Sequence, residues 1–263
     1  KDWDTWPGEK QFALVLTHDV ETARGCARCL DLMQIEKSLG FRSAFNFLAE
    51  SYPMPAELRA ALSDNGFEIG FHGLNHDVSL FYSKRKFHKY AKRMNRHIHD
   101  WNAAGFRAPS MHCNLEWMHA LDIEYDASTF DVDPFEPQPH GVRTIFPFWV
   151  SGGNKDAGYV ELPYTLPQDF TLFIILQEKS IDLWKLKLDW LAEHGGMALI
   201  IAHSDYMSFS ESEHRRAQYP VEYYRQFLEY VKNTYPDKYW HALPREMAAF
   251  WKDRYSEAER DVR

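Results

Sequence analysis

The stretch FALVLTHDVE, residues 12–21, begins as an uninterrupted apolar run and ends in polar groups. Its apolar half is typical of a buried β-strand, and its second half brings a histidine and two carboxylates to the end of that strand. On the two-residue period of a strand, Asp19 and Glu21 face one way while His18 and Val20 face the other. A buried strand that ends in acidic side chains predicts a functional site at its carboxyl end.

Alternating helix and strand patterns follow this first strand. Residues 22–39 and 55–65 carry apolar residues at helical spacing, and each segment is followed by a glycine that favours a helix end. Residues 42–48 and 67–71 have the character of strands. Each connection is long enough for a parallel crossover, so the pattern predicts a parallel sheet with helices outside it.

The rest of the chain continues this pattern up to residue 203. Further strands are predicted at residues 105–110, 123–129, 159–163 and 197–202, and further helices at residues 83–103 and 182–193. Residues 131–158 are rich in Pro, Gly and aromatic residues and are expected to form long loops over one face. With no internal repeat or linker, residues 1–263 are expected to form a single α/β domain.

Composition excludes several classes of function. The formal net charge of −8 is dispersed along the chain, which argues against nucleic acid or an anionic membrane surface and suits a neutral or cationic substrate. No apolar run approaches the roughly 20 residues that cross a bilayer. Three cysteines make no disulfide framework, so a cytoplasmic location is expected, or a periplasmic or secreted one if a signal peptide has been removed. Cys26 and Cys29 are expected to pack within a helix.

Two histidines stand four residues apart in EIGFHGLNHD, residues 68–77. Four residues are about one helical turn, so the rings of His72 and His76 can lie on one face and bind a single metal ion. A hydrolytic metal site also needs a carboxylate ligand, a general base and a general acid. The pair therefore predicts a metal centre that other parts of the chain complete.

Polar residues end further apolar segments at Arg107, Asp126 and His203. In a parallel barrel the catalytic groups collect at the carboxyl ends of the strands. These three residues are therefore expected to converge with the histidine pair and the acidic end of the first strand.

Five segments resemble, in order, the motifs of the polysaccharide deacetylase family, metal-dependent amidases and esterases with the NodB-homology domain. They are THDVE (residues 17–21), HGLNH (72–76), RAP (107–109), DAS (126–128) and IAH (201–203). The resemblance implies an α/β fold with a distorted or incomplete (β/α) barrel, parallel strands inside and helices outside. It also implies a hydrolase that removes an acetyl group from an N-acetylated sugar of a polysaccharide or its precursor.

The resemblance further implies one divalent metal, zinc for a site of two imidazoles and a carboxylate, held by Glu21, His72 and His76. Asp19 would then be the free base. The family commonly has two adjacent aspartates, whereas Val20 separates the two acids here, so Asp19 as the metal ligand remains the alternative.

The other catalytic roles are carried over in the same way. Arg107 is expected to keep Asp19 ionised and His203 to protonate the departing amine, while the family's counterpart of Asp126 orients that histidine. An ion pair that closes the strand ends is the alternative for Arg107 and Asp126. His18 faces away from the site and is expected to pack or to support it.

The substrate is less well defined by the sequence. Residues 144–149, residues 162–169 and Tyr206 are candidate contacts for a carbohydrate. A non-sugar amide of the ureide or formamide type, or a catalytically silent sugar-binding barrel, are the alternatives. The sequence does not indicate an oligomeric state.

Overall fold

The structure, a computed structural model, describes residues 6–136, 141–152, 157–210 and 217–261. The strands within these ranges are β1 Phe12–Val20, β2 Ala44–Phe47, β3 Glu68–Phe71, β4 Gly105–Phe106, β5 Tyr125–Asp126, β6 Phe148–Ser151, β7 Gly158–Glu161, β8 Met197–His203, β9 Met207–Ser208, β10 Tyr219–Pro220 and β11 Tyr239–His241. The α-helices are α1 Ala23–Leu39, α2 Ala56–Asp64, α3 Lys84–Trp101, α4 Leu115–Met118, α5 Asp182–Glu193, α6 Val221–Thr234 and α7 Pro244–Asp261.

β1 is the centre of a curled, mostly parallel sheet. One of its edges pairs with β8, and the other pairs first with β11 and then with β2. From β2 the sheet continues through β3, β4, β5 and β7, all parallel, to β6, which is antiparallel to β7. Beyond β7, the backbone N–H groups of Thr165 and Leu166 donate to Leu199 of β8 at 3.1 Å each, so the chain partly closes the curl.

The two faces of β1 have different environments. Leu14 and Leu16 pack into a cluster that includes residues of α1, α2, α5 and α6. Ala13 and Val15 face a second cluster inside the curl, which Met247 of α7 covers from one end. Because side chains alternate along a strand, Asp19 belongs to the interior face and His18 to the helix face.

Local signals set the ends of α1, the helix that follows β1. The Thr22 hydroxyl accepts hydrogen bonds from the N–H groups of Arg24 and Gly25, which satisfies donors that the first helical turn leaves free. Gly40 ends the helix with φ of 88°, a left-handed conformation that a side chain would disfavour. The chain therefore returns to the sheet where the sequence predicts.

The fold class is confirmed, as a distorted (β/α) barrel with parallel strands and outer helices. One expectation is wrong: residues 131–158 are not all loop, because β6 lies among them and pairs with β7. His72 and His76 follow the third strand, β3, on a loop where Gly73 turns the chain with φ of 103°, so a loop rather than a helical turn brings their rings together. No helix in the described ranges is long and apolar enough to span a membrane.

Candidate active site

Asp19, near the carboxyl end of β1, is buried and firmly held. Asn46 on β2, its partner in the strand register, donates a hydrogen bond of 2.8 Å to the carboxylate. A guanidinium nitrogen of Arg107 lies 3.5 Å from the other carboxylate oxygen. Burial alone would raise the pKa of Asp19, but the positive charges of Arg107, His72 and His203 together lower it. Asp19 is therefore an ionised carboxylate inside the protein.

Arg107 follows β4 and links Asp19 to the histidine loop. Its side chain is fully buried, and it donates a hydrogen bond of 3.2 Å to the hydroxyl of Thr17. Its backbone oxygen lies 2.9 Å from Nδ1 of His72. One residue thus contacts both the carboxylate and an imidazole.

Glu21, His72 and His76 offer one ligand atom each, and these atoms lie within 4.8 Å of one another. The nearest approach is 3.1 Å, between Nε2 of His76 and the Glu21 carboxylate. Burial opposes ionisation of Glu21, yet the hydrogen bond from His76 and the nearby imidazole charges lower its pKa to about 2. This is a compact set of two imidazoles and a carboxylate.

The surroundings of His72 indicate that a metal ion fits these three residues. Its Nε2 is buried and has no hydrogen-bond partner in the described chain, although buried polar atoms are nearly always satisfied. Its Nδ1 faces a backbone carbonyl, the arrangement by which metal-ligating histidines fix their tautomer. A metal ion would supply the missing partner, so the residues present fit one. In the described chain the carboxylate grouped with the two histidines is Glu21, and Asp19 is not in that set.

Glu21 is anchored by the segment after β8. The carboxylate of Asp205 accepts hydrogen bonds from the N–H groups of Glu21 and Thr22, at 2.9 and 3.0 Å. The hydroxyl of Tyr206 donates to the Glu21 carboxylate at 3.2 Å. Although Glu21 lies beyond the end of β1, these hydrogen bonds therefore hold both its backbone and its carboxylate in place.

His203, the last residue of β8, lies opposite Asp19 in the strand register. Its Nδ1 is 2.6 Å from Asp169, which also accepts a hydrogen bond from the His203 N–H at 2.7 Å and one from the Tyr219 hydroxyl at 2.9 Å. Burial disfavours the imidazolium, but the Asp169 carboxylate outweighs it and raises the pKa of His203 to about 10. The protonated ring approaches Glu21 at 3.8 Å.

Asp169, not Asp126, holds His203, and this corrects the role expected of Asp126. Asp126 accepts a hydrogen bond of 2.6 Å from Ser128 and lies beside the buried carboxyl of Glu161, its partner in the register of β5 and β7. Burial raises the pKa of Asp126 to about 6. The strand-end pattern selected Asp126 because it follows an apolar segment, whereas Asp169 follows a turn that is not part of a strand.

These groups surround a cavity of about 300 Å³, within the usual size of small ligand sites. Its described lining is Asp19, Glu21, His72, His76, Ala108, Ser110, Met111, Glu136, Gln168, Phe170, His203 and Tyr206. Two of the candidate substrate contacts, Gln168 and Tyr206, are among them. Residues 144–149 are not, because Ile145 and Phe146 pack into the core. Sequence reasoning missed Asn46, Glu136 and Asp205, which lack a motif of their own.

No family model and no curated protein matches the sequence. Solved structures do match. A provisionally named polysaccharide deacetylase from Mycobacterium smegmatis superimposes over 95% of this chain and 93% of its own, with a TM-score of 0.72 at 19% identity. A protein designated a polysaccharide deacetylase from Pseudomonas aeruginosa PAO1 and the allantoinase PuuE each cover 94% of this chain and 92% of their own, with a TM-score of 0.68 at 16% identity.

At these identities the likeness establishes the fold. The chain has the distorted (β/α) barrel found in structures of polysaccharide deacetylases, and the likeness extends over almost its whole length. The family resemblance of the sequence is thereby confirmed at the level of the fold.

Proposed function

We propose that this protein is a member of the polysaccharide deacetylase family and a metal-dependent hydrolase that removes the acetyl group from an N-acetylated sugar. The observation that carries this proposal is the unpartnered Nε2 of His72, buried beside Glu21 and His76 in a cavity that Asp19 and His203 also line. The shared fold and the order of the five motifs support it.

Glu21, His72 and His76 would hold a single divalent ion, with zinc as the first choice for two imidazoles and one carboxylate. When bound, such an ion supplies Lewis acidity, which polarises an acyl carbonyl and makes water a better nucleophile near neutral pH. Asp205 and Tyr206 keep Glu21 in place for this role.

Asp19 and His203 would divide the proton transfers between them. Asp19 is ionised and buried, so it can accept a proton from water as the water attacks the carbonyl carbon. Arg107 and Asn46 restrain its carboxylate. His203 is protonated through its contact with Asp169, so it can donate a proton to the amine as the C–N bond breaks. Base and acid lie opposite each other on neighbouring strands.

A carbohydrate substrate suits the rest of the cavity. Phe170 and Tyr206 present aromatic rings 5.1 Å apart, and Gln168 adds an amide that can exchange hydrogen bonds with hydroxyl groups. No lysine or arginine is among the described residues that line the cavity, which agrees with a substrate that is not anionic.

The test is acetate release from N-acetylglucosamine oligomers by metal-loaded protein. Because partners that only orient a metal ligand already change affinity or activity about 10–100-fold, His72→Ala should lose activity by about a hundredfold or more. A chelator should abolish acetate release, and metal analysis should find one ion per chain. His99→Ala, on the exposed face of α3 and outside the cavity lining, is the matched control and should stay active.

Two outcomes would overturn parts of the proposal. Acetate release that survives both His72→Ala and chelation would remove the metal from the mechanism. Because one structural neighbour is an allantoinase, ureides and formamides belong in the same screen. Turnover of these small amides without any turnover of acetylated sugars would change the substrate class and leave the metal site in place.

A further inference from the structure

The wall of the cavity carries a third carboxylate, Glu136. It is half-buried, and Gln168 donates a hydrogen bond of 2.6 Å to its Oε1. Gln168 is itself only 9% exposed, so this contact restrains Glu136 at the cavity wall. No role in the proposed reaction uses this carboxylate.

The charges of the other two carboxylates in the cavity are compensated. Arg107 approaches Asp19 at 3.5 Å, and His76 approaches Glu21 at 3.1 Å. Glu136 differs, because the groups that act on it in the described chain are Asp133, Tyr164 and Gln168, and none of them carries a positive charge. Lys187, which lies in the neighbouring groove, is paired with Asp131 at 2.6 Å.

Glu136 also lies near a second negative group. Burial, reinforced by the charge of Asp133, raises the pKa of Glu136 to about 7. Asp133 accepts a hydrogen bond of 2.9 Å from the Tyr164 hydroxyl, a neutral donor. A half-buried carboxylate with such neighbours is stabilised when a positive charge binds next to it.

We propose that Glu136 selects substrates that carry an ammonium group close to the acylated nitrogen, on the same sugar or on the next one in the chain. Partly deacetylated amino-sugar chains have this chemistry. The inference rests on the proposed function, because it defines the substrate class of the same cavity. A neutral sugar whose hydroxyl donates to Glu136 is the competing case, and the experiment separates the two.

Two disaccharides test the inference, each with one N-acetylglucosamine unit and either glucosamine or glucose as the second unit, in both linkage orders. In wild-type protein kcat/KM should be about fivefold higher for the glucosamine compound, the upper end of the range for ion pairs that solvent still reaches. Glu136→Gln keeps the size and the oxygen that Gln168 contacts, and should bring the ratio close to one. Added salt should reduce the ratio in wild type and not in the variant.

Glu116→Gln removes the same charge from an exposed helix position outside the cavity lining and should keep the wild-type ratio. A ratio that persists in Glu136→Gln, or a wild-type preference for the glucose compound, would overturn the inference. If wild type releases no acetate from any sugar, the proposed function fails separately. Calorimetry with the disaccharide of two glucosamine units then tests Glu136 separately. Weaker binding by Glu136→Gln than by wild type supports a role for Glu136 in binding the ammonium group, and equal binding refutes that role.

Discussion

Two buried histidines lie on opposite faces of the neighbouring strands β1 and β8. In each case a carboxylate binds the imidazole and also accepts a hydrogen bond from a tyrosine hydroxyl. The two sets are His18, Glu36 and Tyr224, with contacts of 2.8 and 2.6 Å, and His203, Asp169 and Tyr219, with contacts of 2.6 and 2.9 Å. The same three side-chain types therefore occur twice in one sheet.

What differs is the environment of the second imidazole nitrogen. Nδ1 of His18 lies 3.3 Å from the backbone oxygen of Ala202, and the ring is fully buried against α1 and α6. Nε2 of His203 instead points toward Glu21 at 3.8 Å, and its side chain lines the cavity. A histidine–carboxylate pair is therefore not in itself an active site. Access to the free nitrogen decides whether the pair stabilises the fold or transfers protons.

The largest expected difference is between His203→Gln and His18→Gln. Each substitution removes one donor from a buried carboxylate, so each should lower the free energy of unfolding by about 1–3 kcal/mol. His203→Gln should also lower kcat by about 10²–10⁴-fold, the usual contribution of a general acid, whereas His18→Gln should keep kcat near wild type. Urea unfolding and acetate release under identical conditions measure the two quantities.

Equal losses of activity in the two variants would contradict this distinction, because the helix-facing histidine would then contribute as much to activity as the one in the cavity. Tyr224→Phe is a further control, since it removes a hydroxyl that donates to Glu36 and lies 3.4 Å from Nε2 of His18 while it keeps the histidine itself.

A smaller effect is expected at Asp126, the carboxylate that supports neither histidine. Its pKa rises from an ordinary value of 3.8 to about 6 in the fold, because burial disfavours the carboxylate and the contacts with Ser128, Glu161 and Arg107 offset this only in part. The folded state therefore binds more protons than the unfolded state between about pH 4 and 6, so stability falls as pH rises through that window. Asp126→Asn lacks this titrating group. Its free energy of unfolding, relative to that of wild type, should therefore rise by about 2 kcal/mol between pH 4 and 7.

Unfolding curves of both proteins across that range provide the measurement, and the difference between them isolates Asp126 from other titrating groups. A difference that does not change with pH would mean that the carboxyl titrates normally in the fold.

The smallest effect is expected from a tyrosine on the cavity side. Tyr206→Phe removes the hydroxyl that donates to Glu21 at 3.2 Å and keeps the ring on Phe170. Loss of such an orienting contact should weaken metal binding by about tenfold. Tyr164→Phe removes a hydroxyl bound to Asp133, which is not one of the proposed metal ligands, and should leave metal affinity unchanged. Competition with a chromophoric chelator measures both, and equal shifts would count against a positioning role for Tyr206.

Much of the barrel could be predicted from the sequence, because its signals are local. The bounds predicted for α1, α2 and α5 agree with the structure to within a residue, since the chain marks these helices with apolar spacing and following glycines. β6 could not be predicted, because its pairing with β7 gives those residues strand structure in a segment rich in loop-forming residues.

The site was predictable where side chains follow the strands of the sheet. Glu21, His72, His76 and His203 come together as strand ends of a parallel barrel should. The partner of His203 was not predictable in this way, because Asp169 lies 34 residues earlier, at the start of a short helix whose position depends on tertiary packing. For Asp126 the position at the end of a strand was predicted correctly, but its partners were not. It contacts Glu161 and Ser128 instead of His203.

The pairing of β1 with a neighbour on each edge limits how the gene for such a protein can change. A single inserted or deleted codon within residues 13–17 would move every later residue of β1 to the opposite face. Asp19 would then face the helices and His18 the cavity, and two buried polar networks would lose their partners together. Changes in length should therefore be confined to loops, whereas β1 should tolerate substitutions but not insertions or deletions.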